Sequence, residues 1–345
     1  MDIQITIFDE FHEALSASLD AYIALSSSIA RTVQGVSKEE HAKVEGLNGL
    51  ERLCRIYGSA EYLEKKMRDW SDDVFFLELW DELQHRARNK SKDGKSIAGV
   101  LTVSEIATRT SSNIGSAEDT GALFDETAES YRRLRVRTEE IMQDNLTYDI
   151  RESLRPYARI TAWASISSDS TPSTSISLSI SSEMDTPVQV LTSYLSFLAR
   201  AVAEAPLRRI ARHFALAIQT FLWDSVLLRH NFSTLGVAQF ARDVEGLWSV
   251  FDKYAGRGQG RRGMRRLADA LVLIGMPIQG SVETVGGEDG DGNDGDERQL
   301  GLWEVEKRIF DSNESARDVL EELGLESLTE SDARSVLERR VELAS

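Results

Sequence analysis

Five prolines in 345 residues leave long proline-free stretches, and that spacing constrains the fold more than any other feature of the sequence. Proline removes a backbone donor and clashes with the preceding helical turn, so its scarcity leaves room for long helices. The apolar residues fill that room with helical spacing. Ile5, Phe8, Phe11 or His12, Leu15, Leu19, Tyr22 or Ile23 and Ile29 recur at three- and four-residue spacing, which predicts a helix over about Ile3–Val33. The pattern opens almost at Met1, with Asp2 as the sole candidate cap. A domain rarely starts mid-pattern, so further sequence upstream is expected.

The same reading predicts helices over about Leu50–Arg88, Glu118–Trp163, Val188–Ala203, Leu207–Arg229, Ser233–Tyr254 and Met264–Ile274. Three more follow over about Leu302–Phe310, Ser315–Leu323 and Glu330–Leu343. In Leu207–Arg229 the expected buried stripe is Leu207, Ile210, Phe214, Ala217, Phe221, Leu222, Ser225 and Leu228. Thr329 with Asp332 reads as the N-terminal signal of the last helix, because a carboxylate there meets free backbone donors. Almost no period-two alternation occurs, so the fold class is all-α.

Between these helices lie two biased segments and one weakly patterned one. Residues 89–121 are rich in Ser, Thr, Gly and Lys and read as a loop with a short helix. Residues 165–182 contain ten serines, including the alternation from Ser175 to Ser181. A lone strand in a helical protein has no partner, so a flexible loop is expected. Residues 279–297 carry seven acids, six glycines and no base, a composition unable to bury a core and expected to be disordered. The domains then read as a first helical bundle over 1–163, a serine-rich loop over 164–186 and a C-terminal bundle over 187–345.

The chemistry of known sites is largely absent from the pattern. Gly258, Gly260 and Gly263 spell a GxGxxG, but they follow a helix where a dinucleotide site requires a strand. They read instead as a helix–helix connection in which glycine supplies positive φ. An EF-hand loop starting at Asp289 fails at its sixth and twelfth positions, occupied by Asp294 and Leu300. His12, His41, His85, His213 and His230 are scattered, without the company a zinc site needs. Cys54, the single cysteine, sits on a mainly apolar helix face and reads as core. No catalytic residue, cofactor or metal is assigned.

One cationic feature stands out. Arg257, Arg261, Arg262, Arg265 and Arg266 form the single concentrated basic patch in a chain of formal net charge −17. Arg208, Arg209 and Arg212 would enlarge it if adjacent in space. The patch reads as a solvated loop, or as a contact for an acidic partner or anionic lipid. RNA is disfavoured, since no aromatic residues interleave with the arginines. The −17 charge otherwise repels nucleic acid and anionic membranes. No apolar run approaches the roughly 18 residues of a membrane span, and the acidic N-terminus lacks the basic start of a signal peptide. A cytosolic chain is expected.

Two stretches carry a family resemblance. The first is Trp70-Ser-Asp-Asp-Val-Phe-Phe-Leu-Glu-Leu-Trp80, preceded by Tyr57-Gly-Ser-Ala-Glu-Tyr-Leu63. The second is Asn231-Phe-Ser-Thr-Leu-Gly-Val-Ala-Gln-Phe-Ala-Arg-Asp-Val244, preceded by Phe221-Leu-Trp223. Together with the opening Asp2–Asp9 they resemble the C-terminal half of the RINT/TIP family, tethering subunits of the Dsl-type (NRZ) complex. The resemblance implies a rod of stacked helical bundles related to exocyst and COG subunits, without enzymatic activity. It also implies a peripheral role at the cytosolic face of the endoplasmic reticulum, in retrieval of vesicles from the Golgi. The partners it implies are the other complex subunits and endoplasmic-reticulum SNARE proteins. Family members carry an N-terminal coiled coil, to which nothing in this sequence corresponds. The competing expectation is an adaptor that binds anionic lipid or RNA through Arg257–Arg266.

Overall fold

A computed structural model describes residues 46–78, 124–166, 179–280 and 300–343. The helix expected over Ile3–Val33, the 89–121 loop, most of the serine run and the acidic stretch from 281 to 299 lie outside these residues. The described residues hold ten α-helices in full, a further helical stretch at 74–78 and no β-strand. The one strand-like pairing is an isolated parallel bridge between Phe232 and Arg340. The chain divides into two compact units, residues 1–145 and 146–345.

In the first unit, α1 (Gly46–Ser71) and the opening of α2 (Asp125–Leu154) build a shared core. Ile56, Ala60 and Met67 of α1 are buried with Phe124, Ala128, Tyr131 and Leu134. Trp70, Phe76 and Phe124 close one end of it, with ring centroids 5.1–5.8 Å apart, within the range where aromatic pairs attract. Arg135 ties the helices together by donating to Glu64 at 2.9 Å. Cys54 is buried here and its thiol is pushed up to about 11 by burial, a neutral core side chain.

The expected helix Leu50–Arg88 breaks early. Ser71 Oγ donates back to the Met67 carbonyl. Two residues on, the Asp73 carboxylate accepts from the Phe75 amide at 2.9 Å and starts a new turn. Val74, Phe75 and Leu77, beyond the break, are exposed instead of continuing the buried stripe.

The second unit holds the close of α2 and eight further helices. These are α3 (Asp185–Ala201), α4 (Glu204–Leu222), α5 (Thr234–Tyr254), α6 (Gln259–Gly263), α7 (Arg265–Ile274), α8 (Leu302–Asp311), α9 (Asn313–Glu322) and α10 (Glu330–Leu337). α5 packs against α3 and α6, while α7 and α8 pack against α10. Pro156 follows α2, and 3-10 turns at Tyr157–Arg159 and Ala162–Ala164 carry the chain inward. There Tyr157, Trp163, Phe232 and Phe240 form an aromatic cluster.

Three local devices fix this arrangement. Ser233 caps α5 by accepting from the Gly236 amide, and its hydroxyl also reaches the Trp163 and Ile166 carbonyls. A Cβ at Gly236 would lie 2.1 Å from the Trp163 carbonyl oxygen, so glycine is needed for that approach. Thr329 and Asp332 form a reciprocal capping box at α10, as their spacing predicted.

Past Leu222, α4 passes into a π-turn, Trp223–Leu227. A π-turn holds more residues than an α-turn and rotates every later side chain. Val226 and Leu227 are therefore buried, while Ser225 and Leu228, expected on the stripe, are half-buried.

Candidate basic interface

The five arginines of the sequence patch lie on the α5–α6 turn, on α6 and at the start of α7. Tyr254 ends α5, and the chain reverses through Gly256 and Gly258, with φ of 109° and 72°, conformations that L side chains rarely adopt. Positive φ was expected of all three glycines of the GxGxxG, but Gly258 alone adopts it. Gly260 and Gly263 are there for proximity. A Cβ on Gly260 would stand 2.7 Å from Trp248 Cα, and one on Gly263 would stand 2.6 Å from Ala215 Cβ. The Asp252 carboxylate accepts from the Gly260 amide at 3.1 Å and holds the short α6 against α5.

The structure divides the patch. Arg265 donates to Glu326 at 2.7 Å. Arg266 forms a two-pronged bond with Asp332 at 2.6 and 3.1 Å and covers the Trp223 ring. Burial raises the Asp332 carboxyl, but hydrogen bonds from Arg266 and Thr329 outweigh it, leaving the group below its ordinary value. These two arginines staple α7 to the chain's last helices.

The other three remain on the surface. Arg262 curls back onto its own turn, donating to the Gly258 carbonyl at 3.1 Å and the Arg257 carbonyl at 2.6 Å. Arg261 lies 5.8 Å from the centre of the Trp248 ring. Arg257 has no side-chain partner among the described residues. Of the α4 arginines, Arg208 pairs with Glu204 of its own helix. Arg212 instead meets Arg262 across a cleft of about 120 Å³ whose remaining walls are Ala211, Phe251, Gln259 and Gly263. The patch that survives folding is thus Arg212, Arg257, Arg261 and Arg262.

The second family-like stretch supplies structural polar contacts that its sequence did not announce. Asp243, fully buried, accepts from the Tyr157 hydroxyl at 2.8 Å, the Ser181 amide and hydroxyl at 2.7 Å each, and the Gln239 amide at 3.0 Å. Burial drives the Tyr157 hydroxyl well above its usual pKa, reinforced by the adjacent carboxylate. The end of the serine run is therefore anchored, and Ile180 sits against Gly246. Arg340, also buried, donates to the Ile274 carbonyl at 3.1 Å and to Thr234 at 3.0 Å. It lies 3.1 Å from Glu342, whose carboxylate accepts from the Thr234 amide and hydroxyl. His213 and His230 are far from any metal-binding company: among the described residues no cluster of His, Cys, Asp and Glu is arranged to hold a metal. No helix among them is long and apolar enough to cross a membrane.

The fold has a counterpart among solved structures. A crystal structure described as the SNARE Sec20 bound to the Dsl1 complex subunit Tip20 matches with a TM-score of 0.56 and 16% identity. The match covers 85% of this chain and 42% of that chain, so this chain spans less than half the length of its structural counterpart. At that identity the likeness speaks for the fold. The sequence profile of the RINT-1/TIP-1 family matches residues 1–340. That span takes in the first unit, all but the last five residues of the second, the Trp70–Trp80 and Asn231–Val244 stretches and the basic turn. The chain belongs to the RINT-1/TIP-1 family.

Proposed function

We propose that this chain is a helical subunit of a vesicle-tethering complex at the cytosolic face of the endoplasmic reticulum. In this reading it supports Golgi-to-endoplasmic-reticulum transport by holding a SNARE protein and other complex subunits. The observation that carries the reading is the family match over residues 1–340. The solved counterpart supports it, since that structure is described as a Dsl1 complex subunit with a SNARE bound.

The physical basis is geometric. Each unit is a packed helical body whose ion pairs and caps fix its surface, and a pre-organised surface binds without first bearing an ordering cost. Binding would come from helix faces, with charge setting orientation and on-rate. We read the chain as contributing surfaces and no chemistry. The displaced ionisable groups in the second unit (Tyr157, Glu330, Asp332, Arg340 and Glu342) all belong to contacts that join helices. Membrane association in this reading is peripheral and made through partners. The alternative of a lipid or RNA adaptor is weakened because Arg265 and Arg266 are committed to Glu326 and Asp332.

Affinity capture with the intact chain, from cytosol combined with detergent-solubilised membranes, tests the proposal. Recovery of an endoplasmic-reticulum SNARE together with tethering-complex subunits is the expected outcome. Recovery of neither overturns it.

A further inference from the structure

In a chain with 57 acids against 40 Lys and Arg, a surface arginine has a carboxylate within easy reach. Many arginines of the second unit follow that expectation. Arg208, Arg242, Arg265, Arg266, Arg308 and Arg317 all pair with Asp or Glu of this chain. Among the described residues, Arg159 and Arg229 lack such a carboxylate singly, and Arg200 and Arg334 bond neutral oxygens instead, whereas Arg212, Arg257, Arg261 and Arg262 lack one as a group around a single turn and cleft. Arg212 and Arg262 face each other across the cleft beneath which Ala211 and Phe251 form an apolar floor. Gln259 adds a neutral carboxamide to the rim.

Arg262 is also pre-set. Its Nε and one terminal nitrogen are bonded to the Gly258 and Arg257 carbonyls, which fixes the guanidinium plane and leaves the other terminal nitrogen without an acceptor among the described residues. A fixed guanidinium loses little side-chain entropy when an anion arrives, and the geometry of its fork suits an oxyanion. The cleft, at about 120 Å³, has room for one such group and little more.

We propose that the Arg212–Arg262 cleft receives a side-chain carboxylate from an acidic segment of a partner protein, with Arg257 and Arg261 meeting the acids that flank it. Charge complementarity selects this occupant over a membrane. Each arginine near an anionic leaflet contributes only weakly, and these four belong to a chain whose overall net charge is −17. A peptide touches the cleft alone and escapes most of that charge's repulsion, which is screened beyond about 10 Å at ordinary salt. The proposal rests on the reading of this chain as a protein-binding scaffold, and specifies the chemistry of one of its contacts.

The test is fluorescence anisotropy of the intact chain with a labelled peptide of alternating Glu and Ala, against the same peptide with Gln for Glu. The Glu peptide is expected to bind, to weaken steeply as salt rises, and to lose about five- to tenfold in affinity in R212Q and again in R262Q. R212Q leaves the Arg262 clamp on the turn untouched, so a loss there is not a folding effect; circular dichroism verifies this. R265Q, which removes a nearby but internally paired charge, is expected to bind as the unmodified chain does. Equal binding of both peptides, or unchanged binding in R212Q and R262Q, overturns the proposal. So does recovery of the chain on phosphatidylserine vesicles through these arginines with no binding to the Glu peptide. SNARE capture by the same preparation separates the two ideas. Capture without peptide binding rejects the cleft alone, and loss of both rejects the scaffold reading as well.

Discussion

The guanidinium of Arg266 stands 3.9 Å from the centre of the Trp223 ring while its Nε and one terminal nitrogen grip Asp332 from α7. One side chain therefore joins the π-turn after α4, the start of α7 and the cap of α10. Replacing Arg266 with Ala is expected to cost about 1–2 kcal/mol, allowing for its partial exposure. Lysine keeps the charge but not the fork, so R266K should recover less than half of that loss. Urea unfolding followed by circular dichroism measures both, and R266K equal to the parent would show that charge alone matters.

Acid should loosen the same region. Asp332 and Glu342 both have folded-state pKa values below the ordinary carboxyl value; in each, burial acts upward and hydrogen bonds outweigh it. A depressed carboxyl contributes stability that is fully present above its unfolded pKa, about 4, and is lost as pH falls through the folded value. Melting temperature should therefore be flat from about pH 7 to 5 on account of these groups and decline below about pH 4. The D332N/E342Q variant should start lower and show a shallower acid limb. Parallel acid limbs in parent and variant would refute the assignment.

Two glycines should respond in opposite directions to the same substitution. Gly58 lies on the exposed face of α1 with nothing within 4 Å of an added Cβ. Alanine there is expected to stabilise by about 0.5–1 kcal/mol, through helix propensity and a less flexible unfolded chain. Gly260 has the Trp248 backbone 2.7–2.8 Å from the same hypothetical atom. Alanine at 260 must push α6 away from α5 and should cost about 2 kcal/mol or more. Thermal denaturation of G58A and G260A gives the comparison; a stabilised G260A would mean α6 is held less closely than described.

Asp243 offers a graded series. Alanine leaves the Tyr157 and Ser181 hydroxyls and the Ser181 amide without their acceptor, and the Gln239 carboxamide with one acceptor fewer, an expected loss of about 3 kcal/mol or more. Y157F removes one donor from a carboxylate that keeps three others, and should cost about 1 kcal/mol. Equal losses in the two variants would show that the carboxylate's other bonds contribute nothing.

Much of the helical framework was legible because it obeys local rules. The apolar stripe of α4 from Leu207 to Ala217 is buried as its spacing required, and the Thr329–Asp332 box caps α10. What escaped was non-local. Nothing in the spacing of Phe221–Leu228 signals that one turn will widen and bring Trp223 beneath Arg266, forty-three residues later in sequence. Serine alternation gives no hint that Ser181 will serve a buried carboxylate sixty-two residues away. The arginine patch was visible as composition, but its partition into staples and free cations depends on where Glu326 and Asp332 fold back. Arg212 lies some fifty residues from Arg262 in sequence, and only the packing of α6 on α4 sets the two opposite each other.

The bridge between Phe232 and Arg340 has a practical consequence for anyone handling this chain. The Phe232 amide donates to the Arg339 carbonyl and the Val341 amide donates back to Phe232, so the tail is buckled onto the doorway of α5. An epitope appended after Ser345 leaves that buckle fastened, whereas a stop codon before Arg339 undoes it. The injury from such trimming would surface at Ser233 and Thr234, more than a hundred positions upstream of the cut.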